Sequence, residues 1–331
     1  MYNIKQKPED FIVEEVLDLE LDRKGDFVYF SLKKIGYTTM QCITRIQEWL
    51  HVKPGRVGFA GIKDKQAITT QTVSIRDPNN KIPQNAFDHF NKDRIILEFI
   101  GRGKTPIHLG MNKGNRFNIL VSSPTPPEKT SWITNYFDDQ RFSINNPVVG
   151  KAIIKKDWET AAKEILADPV KNHLKTNPRD YIGALKTLPL KTLLIYVHSY
   201  QSYIWNETVK KYLQQKYSQL VNRRYTLGLL YFPVNNPADP DIEVPIVGFG
   251  TEYDNPEIKQ IIQDILKKED LIERDFINRQ FPELSCDGGS RKIFIKLEDV
   301  SIEKEDKDYR LKFFLPSGAY ATMVIKRFFG N

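Results

Sequence analysis

The sequence predicts an α+β protein in which two strand-rich ends enclose a helix-rich middle, and two observations carry that expectation. Period-two alternation marks the ends, as in Phe117, Ile119 and Val121 and again in Lys292 to Leu297. Apolar residues at helical spacing mark the middle, as in Ala161, Ala162, Ile165 and Leu166, or Ile258, Ile261, Ile262, Ile265 and Leu266. A chain of 331 residues is long enough for two domains or for one domain with a large insert. The last strands are expected to rejoin the first sheet. Residues 1–150 and 289–331 then form one domain, and residues 151–288 form a mainly helical α/β insert.

Taken in order, Lys5 to Leu21 is extended, opened by Pro8. Phe27 to Leu32 is a second strand, closed by Gly36. Thr38 or Thr39 caps a helix with Met40, Ile43, Ile46 and Trp49/Leu50 on one face. Strands follow at Val73-Ser74-Ile75, from Arg94 to Ile100, and at Phe117 to Val121. Lys113-Gly114-Asn115 before the last of these is a hairpin turn with Gly114 or Asn115 at positive φ. The proline-rich stretch from Ser122 to Lys129 is a loop. Asp157 caps a helix from Trp158 to Ala167, Pro189 opens a long helical stretch to Leu213, and Asn255 with Pro256 starts a helix ending at Lys267-Lys268. Strands return from Arg291, and Pro316 with Gly318 builds the turn that leads to Tyr320.

Composition narrows the function classes. No apolar run is long enough to span a bilayer, and the start carries no apolar signal core, so a cytoplasmic protein is expected. Cys42 and Cys286 stand alone, and five scattered histidines show no metal-ligand spacing. No disulfide framework, no metal and no cofactor is expected. A net charge of +7, with 49 basic against 42 acidic residues, suits a polyanionic partner.

Chemistry concentrates in the stretch from Gly58 to Gln71. Gly58 and Gly61 lead through a turn to Lys63-Asp64-Lys65, and a β-prone run starts at Thr69. Two flanking lysines favour the ionised form of Asp64. A solvated charged turn has the same spacing, so the spacing alone names no reaction. Four further strings stand out: Leu109 to Phe117 around Lys113-Gly114-Asn115; Asn135-Tyr136-Phe137-Asp138-Asp139-Gln140-Arg141-Phe142; Tyr200 to Asn206; and Leu315-Pro316-Ser317-Gly318-Ala319-Tyr320-Ala321-Thr322. The aromatic stripe from Tyr200 to Asn206 reads as packing.

Together and in this order, the strings resemble the TruD family of tRNA pseudouridine synthases. The resemblance implies a mixed, largely antiparallel sheet flanked by helices, interrupted by an inserted TRUD domain. It implies conversion of uridine to pseudouridine in tRNA, at position 13 as in bacterial members, by an enzyme that needs no cofactor and no protein partner and works as a monomer. Asp64 is then the catalytic carboxylate and Lys5, just before Pro8-Glu9-Asp10-Phe11, its ion-pair partner. Phe11, Asn135 and Tyr320 match positions lining the uridine pocket, with Phe137 a further stacking candidate that reads equally as core. Lys63, Lys65, Lys113 and Arg141 are expected on the RNA backbone, and Lys210, Lys211, Arg223 and Arg224 in the insert are further phosphate candidates. Two positions depart from the family pattern: Asp138 replaces a glycine, and Ile325-Lys326-Arg327 stand where an acidic residue is usual. Two other classes stay open, a non-catalytic RNA-binding protein and a nucleoside or glycoside hydrolase. The hydrolase would need a second carboxylate, from Glu9, Asp10, Asp138 or Asp139.

Overall fold

The structure is a computed structural model that describes residues 2–88, 90–91 and 94–330. The chain divides into two compact units. One holds the chain up to Ser131 together with Leu297–Ala321 and Phe328–Gly330; the other holds Trp132–Lys296 and Thr322–Arg327.

The first unit is built on one sheet. Its elements are β1 (Phe11–Val16), β2 (Phe27–Ile35), α1 (Thr39–Leu50), β3 (Val57–Phe59), β4 (Ile68–Arg76), β5 (Ile95–Gly103) and β6 (Gly114–Ser122). Strands later in the chain rejoin this sheet, and they are numbered below after the intervening elements of the second unit.

The second unit contains β7 (Trp132–Thr134), α2 (Asp139–Phe142), α3 (Asn146–Ile154), α4 (Trp158–Glu164), α5 (Asp168–Thr176), α6 (Tyr181–Lys186) and α7 (Leu190–Lys216). The hairpin β8 (Leu220–Tyr225) and β9 (Gly228–Pro233) follows. After it come β10 (Glu243–Ile246), α8 (Pro256–Lys268), β11 (Gly289–Lys292) and β12 (Phe294–Lys296). The chain then returns to the first sheet through β13 (Glu298–Glu305) and β14 (Asp308–Pro316), and ends in α9 (Ala321–Phe329), whose residues are shared between the units.

The sheet runs β13-β14-β6-β1-β4-β2-β5, with β3 also on β4. Every pair is antiparallel except β1 with β4, where Ile12 lies opposite Ile68. The expected mixed, largely antiparallel sheet is therefore present. One face buries Val28, Phe30 and Leu32 of β2, Val73 and Ile75 of β4, and Ile95 and Leu97 of β5 against Cys42, Ile43 and Ile46 of α1. Phe87 closes this core edge-on to Phe30, with ring centroids 4.8 Å apart. In the second unit α7 carries the core, with Leu193, Val197, Tyr200, Ile204, Trp205, Val209 and Leu213 all buried.

Capping chemistry fixes the helix starts that the sequence announces. The Thr38 hydroxyl accepts from Gln41 N at 3.1 Å, the Asp157 carboxylate from Thr160 N at 3.0 Å, and the Asn255 side chain from Glu257 N and Ile258 N. Three local expectations change. The helix that starts at Trp158 stops at Glu164 instead of Ala167, because Pro169 opens a new first turn at Asp168 and Ala167 is left extended. The alternating run from Lys292 to Leu297 is cut at Ile293: β11 pairs with β10, whereas β12 pairs with β7. Lys113-Gly114-Asn115 is not a hairpin turn. Gly114 already starts β6, and the positive φ of that loop falls at Gly110. A side chain at Gly114 would meet Leu315 O at 2.1 Å, so close approach by β14 is what requires glycine there.

Candidate active site

Asp64 sits on the loop that joins β3 to the start of β4, in the first unit. Its carboxylate forms an ion pair with the Lys5 ammonium and accepts from Gln66 N at 3.1 Å. Both side chains are largely enclosed, with 15% of Lys5 and 33% of Asp64 exposed. Burial works against ionisation of Asp64. The Lys5 hydrogen bond and charge, the Gln66 N–H and the Lys34 charge outweigh it and hold the carboxyl below the ordinary aspartate range.

Lys5 is not a loose terminal side chain. Asn3 exchanges two backbone hydrogen bonds with Ser122 at the end of β6, which ties down the first residues. Lys5 itself adopts φ +57, a left-handed conformation that costs a non-glycine residue about 1–3 kcal/mol. Its ammonium also lies 4.2 Å from the centroid of the Phe11 ring. Phe11 in turn meets Phe117 edge-on, and Phe117 stacks on Phe313. The structure thus brings Asp64, Lys5 and Phe11 together on one face of the sheet.

The loop beneath Asp64 is held by polar groups that its own motif does not announce. Lys63 N donates to the Thr39 hydroxyl, Thr39 donates to Gln71, and Gln71 donates to Gly61 O at 3.1 Å. Gly58 is needed for space: a Cβ there would sit 2.3 Å from Ile107 O. Gly61 meets nothing closer than 3.9 Å, so the paired glycines do not serve a common turn. The Lys63 ammonium points inward, 2.7 Å from Glu15 Oε2 and 2.7 Å from Asn115 Oδ1. The expectation that Lys63 lies on an RNA backbone is corrected by this burial. Lys65 and Lys113 are exposed, the latter beside Asp18. Tyr320 is half-buried and follows the turn at Gly318, whose φ is +82.

Asn135, Phe137 and Arg141 belong to the second unit. Arg291 donates to both the backbone oxygen (2.9 Å) and the side-chain oxygen (2.5 Å) of Asn135, while the Asn135 amide donates to Lys292 O. Phe137 is only 6% exposed. Arg291 covers its ring at 4.2 Å, Trp205 meets it edge-on, and the Asn206 side chain bonds both its N–H and its carbonyl. Arg141 donates to Ser202. Arg223, expected at the surface, is buried and donates to Lys326 O and Arg327 O, and Lys210 is paired with Glu207.

The two departures from the family pattern meet. Lys326 lies between Asp138, 2.5 Å away, and Asp139. Asp138 has φ −99, an extended conformation open to any residue, so its replacement of glycine strains nothing. Burial opposes ionisation of Asp139, and Lys326 with the Thr226 N–H reverses that and holds its carboxyl below the ordinary range. Among the described residues, no group of three or more His, Cys, Asp or Glu side chains is placed to hold a metal ion.

Comparisons with known proteins agree with this arrangement of strings and sheet. The model of the family described as tRNA pseudouridine synthase D (TruD) matches residues 2–173, 170–223 and 238–328. A Nanoarchaeum equitans protein named "Probable tRNA pseudouridine synthase D" is 31% identical, with 98% of both chains covered. The tRNA pseudouridine synthase D of Aquifex aeolicus is 26% identical, over 98% of this chain and 97% of that one. The crystal structure of a Methanosarcina mazei protein assigned to TruD superposes with a TM-score of 0.72 at 24% identity, covering 98% of this chain and 93% of that chain. Matched by one family model over residues 2–223 and 238–328, the chain belongs to the TruD family of tRNA pseudouridine synthases.

Proposed function

We propose that this protein isomerises uridine to pseudouridine in tRNA, at position 13, with Asp64 as the catalytic carboxylate. Family membership supports the reaction. The ionised Asp64 carboxylate, paired with Lys5 beside the Phe11 ring, carries the assignment of the residue. The reaction breaks the N1–C1′ bond, turns the uracil and forms a C5–C1′ bond, with one proton leaving C5 and one reaching N1. Atoms and electrons balance without a donor or a redox partner, and no cofactor is required.

Each step asks something of the residues. The uridine must leave its stack to reach Asp64, which costs a few kcal/mol. Tyr320, half-buried, offers a ring to receive it; Phe11, 4% exposed under the Lys5 ammonium, is assigned to the wall behind the uracil, and Phe137 acts chiefly through the packing that Arg291 and Trp205 give it. Asp64 must be charged to attack, add or accept a proton, and Lys5 keeps it so. Lys65, Lys113 and Arg141 are assigned to RNA phosphates, and the insert at residues 151–288 to further tRNA contacts, with a monomer in the cytoplasm as the working form.

The test is purified protein acting on unmodified tRNA, with pseudouridine mapped by position. Parent protein yields pseudouridine at a single site. Asp64→Asn, which keeps the shape and removes the charge, binds tRNA with near-parental affinity and yields none. Pseudouridine at parental levels from Asp64→Asn would end the assignment, and an abasic site in place of pseudouridine would point to a hydrolase.

A further inference from the structure

Lys34 is wholly buried in β2, and beyond the charge it lends to Asp64 the reaction described above gives it no task. Its ammonium donates to three backbone carbonyls: Tyr37 O at 2.8 Å, Lys63 O at 3.3 Å and Asp64 O at 2.7 Å. An ammonium carries three donors, so all of them are spent on the chain just after β2 and on the Asp64 loop. The contact to Asp64 is to its carbonyl, which leaves the Asp64 carboxylate to Lys5 and Gln66 N.

Burying a lysine without a carboxylate in hydrogen-bond reach is costly, and an apolar side chain would fill the same space at less expense. Burial pulls the Lys34 ammonium below its ordinary range, and the negative charge of Asp64 opposes that. The other titratable groups around it do not neutralise it. The Cys42 thiol on α1 is pushed up to about 11 by burial and carries no charge at neutral pH, and Lys63 repels it. Beyond Cys42 stands Arg45, and beyond the Asp64 backbone stands Lys5, both cationic. The charge is thus held by backbone carbonyls alone, and two of its three hydrogen bonds fall on the loop that carries Asp64.

We propose that Lys34 is a positioning residue for the reaction: from beneath the sheet end it fixes the backbone of Lys63 and Asp64, so that the Asp64 carboxylate is presented to Lys5 and to the substrate. The proposal rests on the reading of Asp64 as the catalytic carboxylate. Lys34 has no exposed surface and cannot touch RNA, so it acts on turnover and not on tRNA binding.

The experiment compares Lys34→Met, Lys34→Gln and Asp64→Asn in single-turnover assays on unmodified tRNA, with tRNA affinity, melting temperature and the pH dependence of the rate measured for each. Lys34→Met is expected to slow the chemical step by about tenfold to a hundredfold, the scale of a misplaced catalytic group, with tRNA affinity held within about twofold. Its acid limb moves to higher pH, because a positive charge that favours ionised Asp64 is gone. A merely structural lysine would lower the melting temperature and leave that limb in place. Lys34→Gln keeps an amide donor without the charge; it recovers part of the rate and none of the shift in the limb. Folded Lys34→Met with the parental rate and pH profile, or with a loss confined to tRNA affinity, overturns the proposal. If Lys34→Met fails to fold, Lys34→Gln decides it on the same readouts, and failure of both to fold shows a determinant of the fold and overturns the proposal equally. Activity retained by Asp64→Asn would instead sink the reading of Asp64, a result distinct from normal Lys34 variants beside an inactive Asp64→Asn.

Discussion

At the residue scale, Asp64 and Lys5 answer to one another. Their ion pair is enclosed without being fully buried, so loss of one partner is expected to destabilise by less than the roughly 3–5 kcal/mol of a fully buried pair. Lys5→Met should leave the protein folded, move the acid limb of the rate upward in pH, and lower turnover. Combined with Asp64→Asn, it should restore part of the stability lost by either single change and none of the activity. Urea titrations of the four proteins measure that coupling, and strict additivity of the two stability losses would refute the pair. Lys63 shows how far a residue's role depends on burial. Set beside Asp64 in the chain, it turns away from it to meet Glu15 and Asn115.

At the element scale, close approach governs the glycines around the site. Gly58 in β3 has Ile107 O where a Cβ would go, and the obstructing atom is backbone, which cannot swing aside. Gly58→Ala is expected to cost about 1–3 kcal/mol, as overpacking does. Gly61→Ala, with open space around it, should fall within about 0.5 kcal/mol of the parent. Equal urea midpoints for the two variants would contradict this account. The start of α2 depends on a different device. Lys326 of α9 neutralises Asp138, whose side chain is 3% exposed, and reaches Asp139 as well. Lys326→Met should destabilise by about 3–5 kcal/mol because a buried carboxylate loses its counter-ion, and adding Asp138→Asn should recover part of it. A Lys326→Met protein as stable as the parent would show that the cluster contributes nothing.

At the scale of the whole molecule, pH and salt act on many groups at once. Asp64, Asp77 and Asp139 are each opposed by burial but held below the ordinary aspartate range, by Lys5, by the N–H groups of Ile82 and Lys81 with Arg102, and by Lys326 respectively. A depressed folded-state pKa contributes stability that is complete above the unfolded value, about 3.9, and is lost as pH falls through the lower folded values. The urea midpoint should therefore be nearly constant from about pH 7 to 5 and fall steeply below about pH 4. A midpoint that rose on acidification would contradict these ion pairs. Binding to tRNA should weaken with salt, as expected for a chain of net charge +7. Replacing exposed Lys65 by Ala should reduce the salt slope by about one unit without changing which uridine is modified, whereas buried Lys63 should leave the slope unchanged.

Most of the elements, and the loop on which the chemistry is proposed, are legible in the sequence. Cap residues such as Thr38 and Asn255 act within one turn, and apolar periodicity declares the face a strand or helix will bury, so both are readable locally. The string around Lys63-Asp64-Lys65 singles out Asp64, the resemblance pairs it with Lys5, and the ion pair forms across 59 residues of sequence. What sits beneath and beside that string was decided only by tertiary structure. Period two puts Lys34 on the face of Val28, Phe30 and Leu32 and Lys33 on the other, but only the fold lays the Asp64 loop over Lys34, and Glu15 gives no sign that it will receive Lys63. Arg291 reaches Asn135 from 156 residues away in number and covers Phe137 as well, and Lys326 reaches Asp138 from 188. A charged side chain has the same chemistry everywhere in the chain, and its role is set by the atoms that exclude water from it. Those atoms come from segments brought together only when the sheet and the helices close.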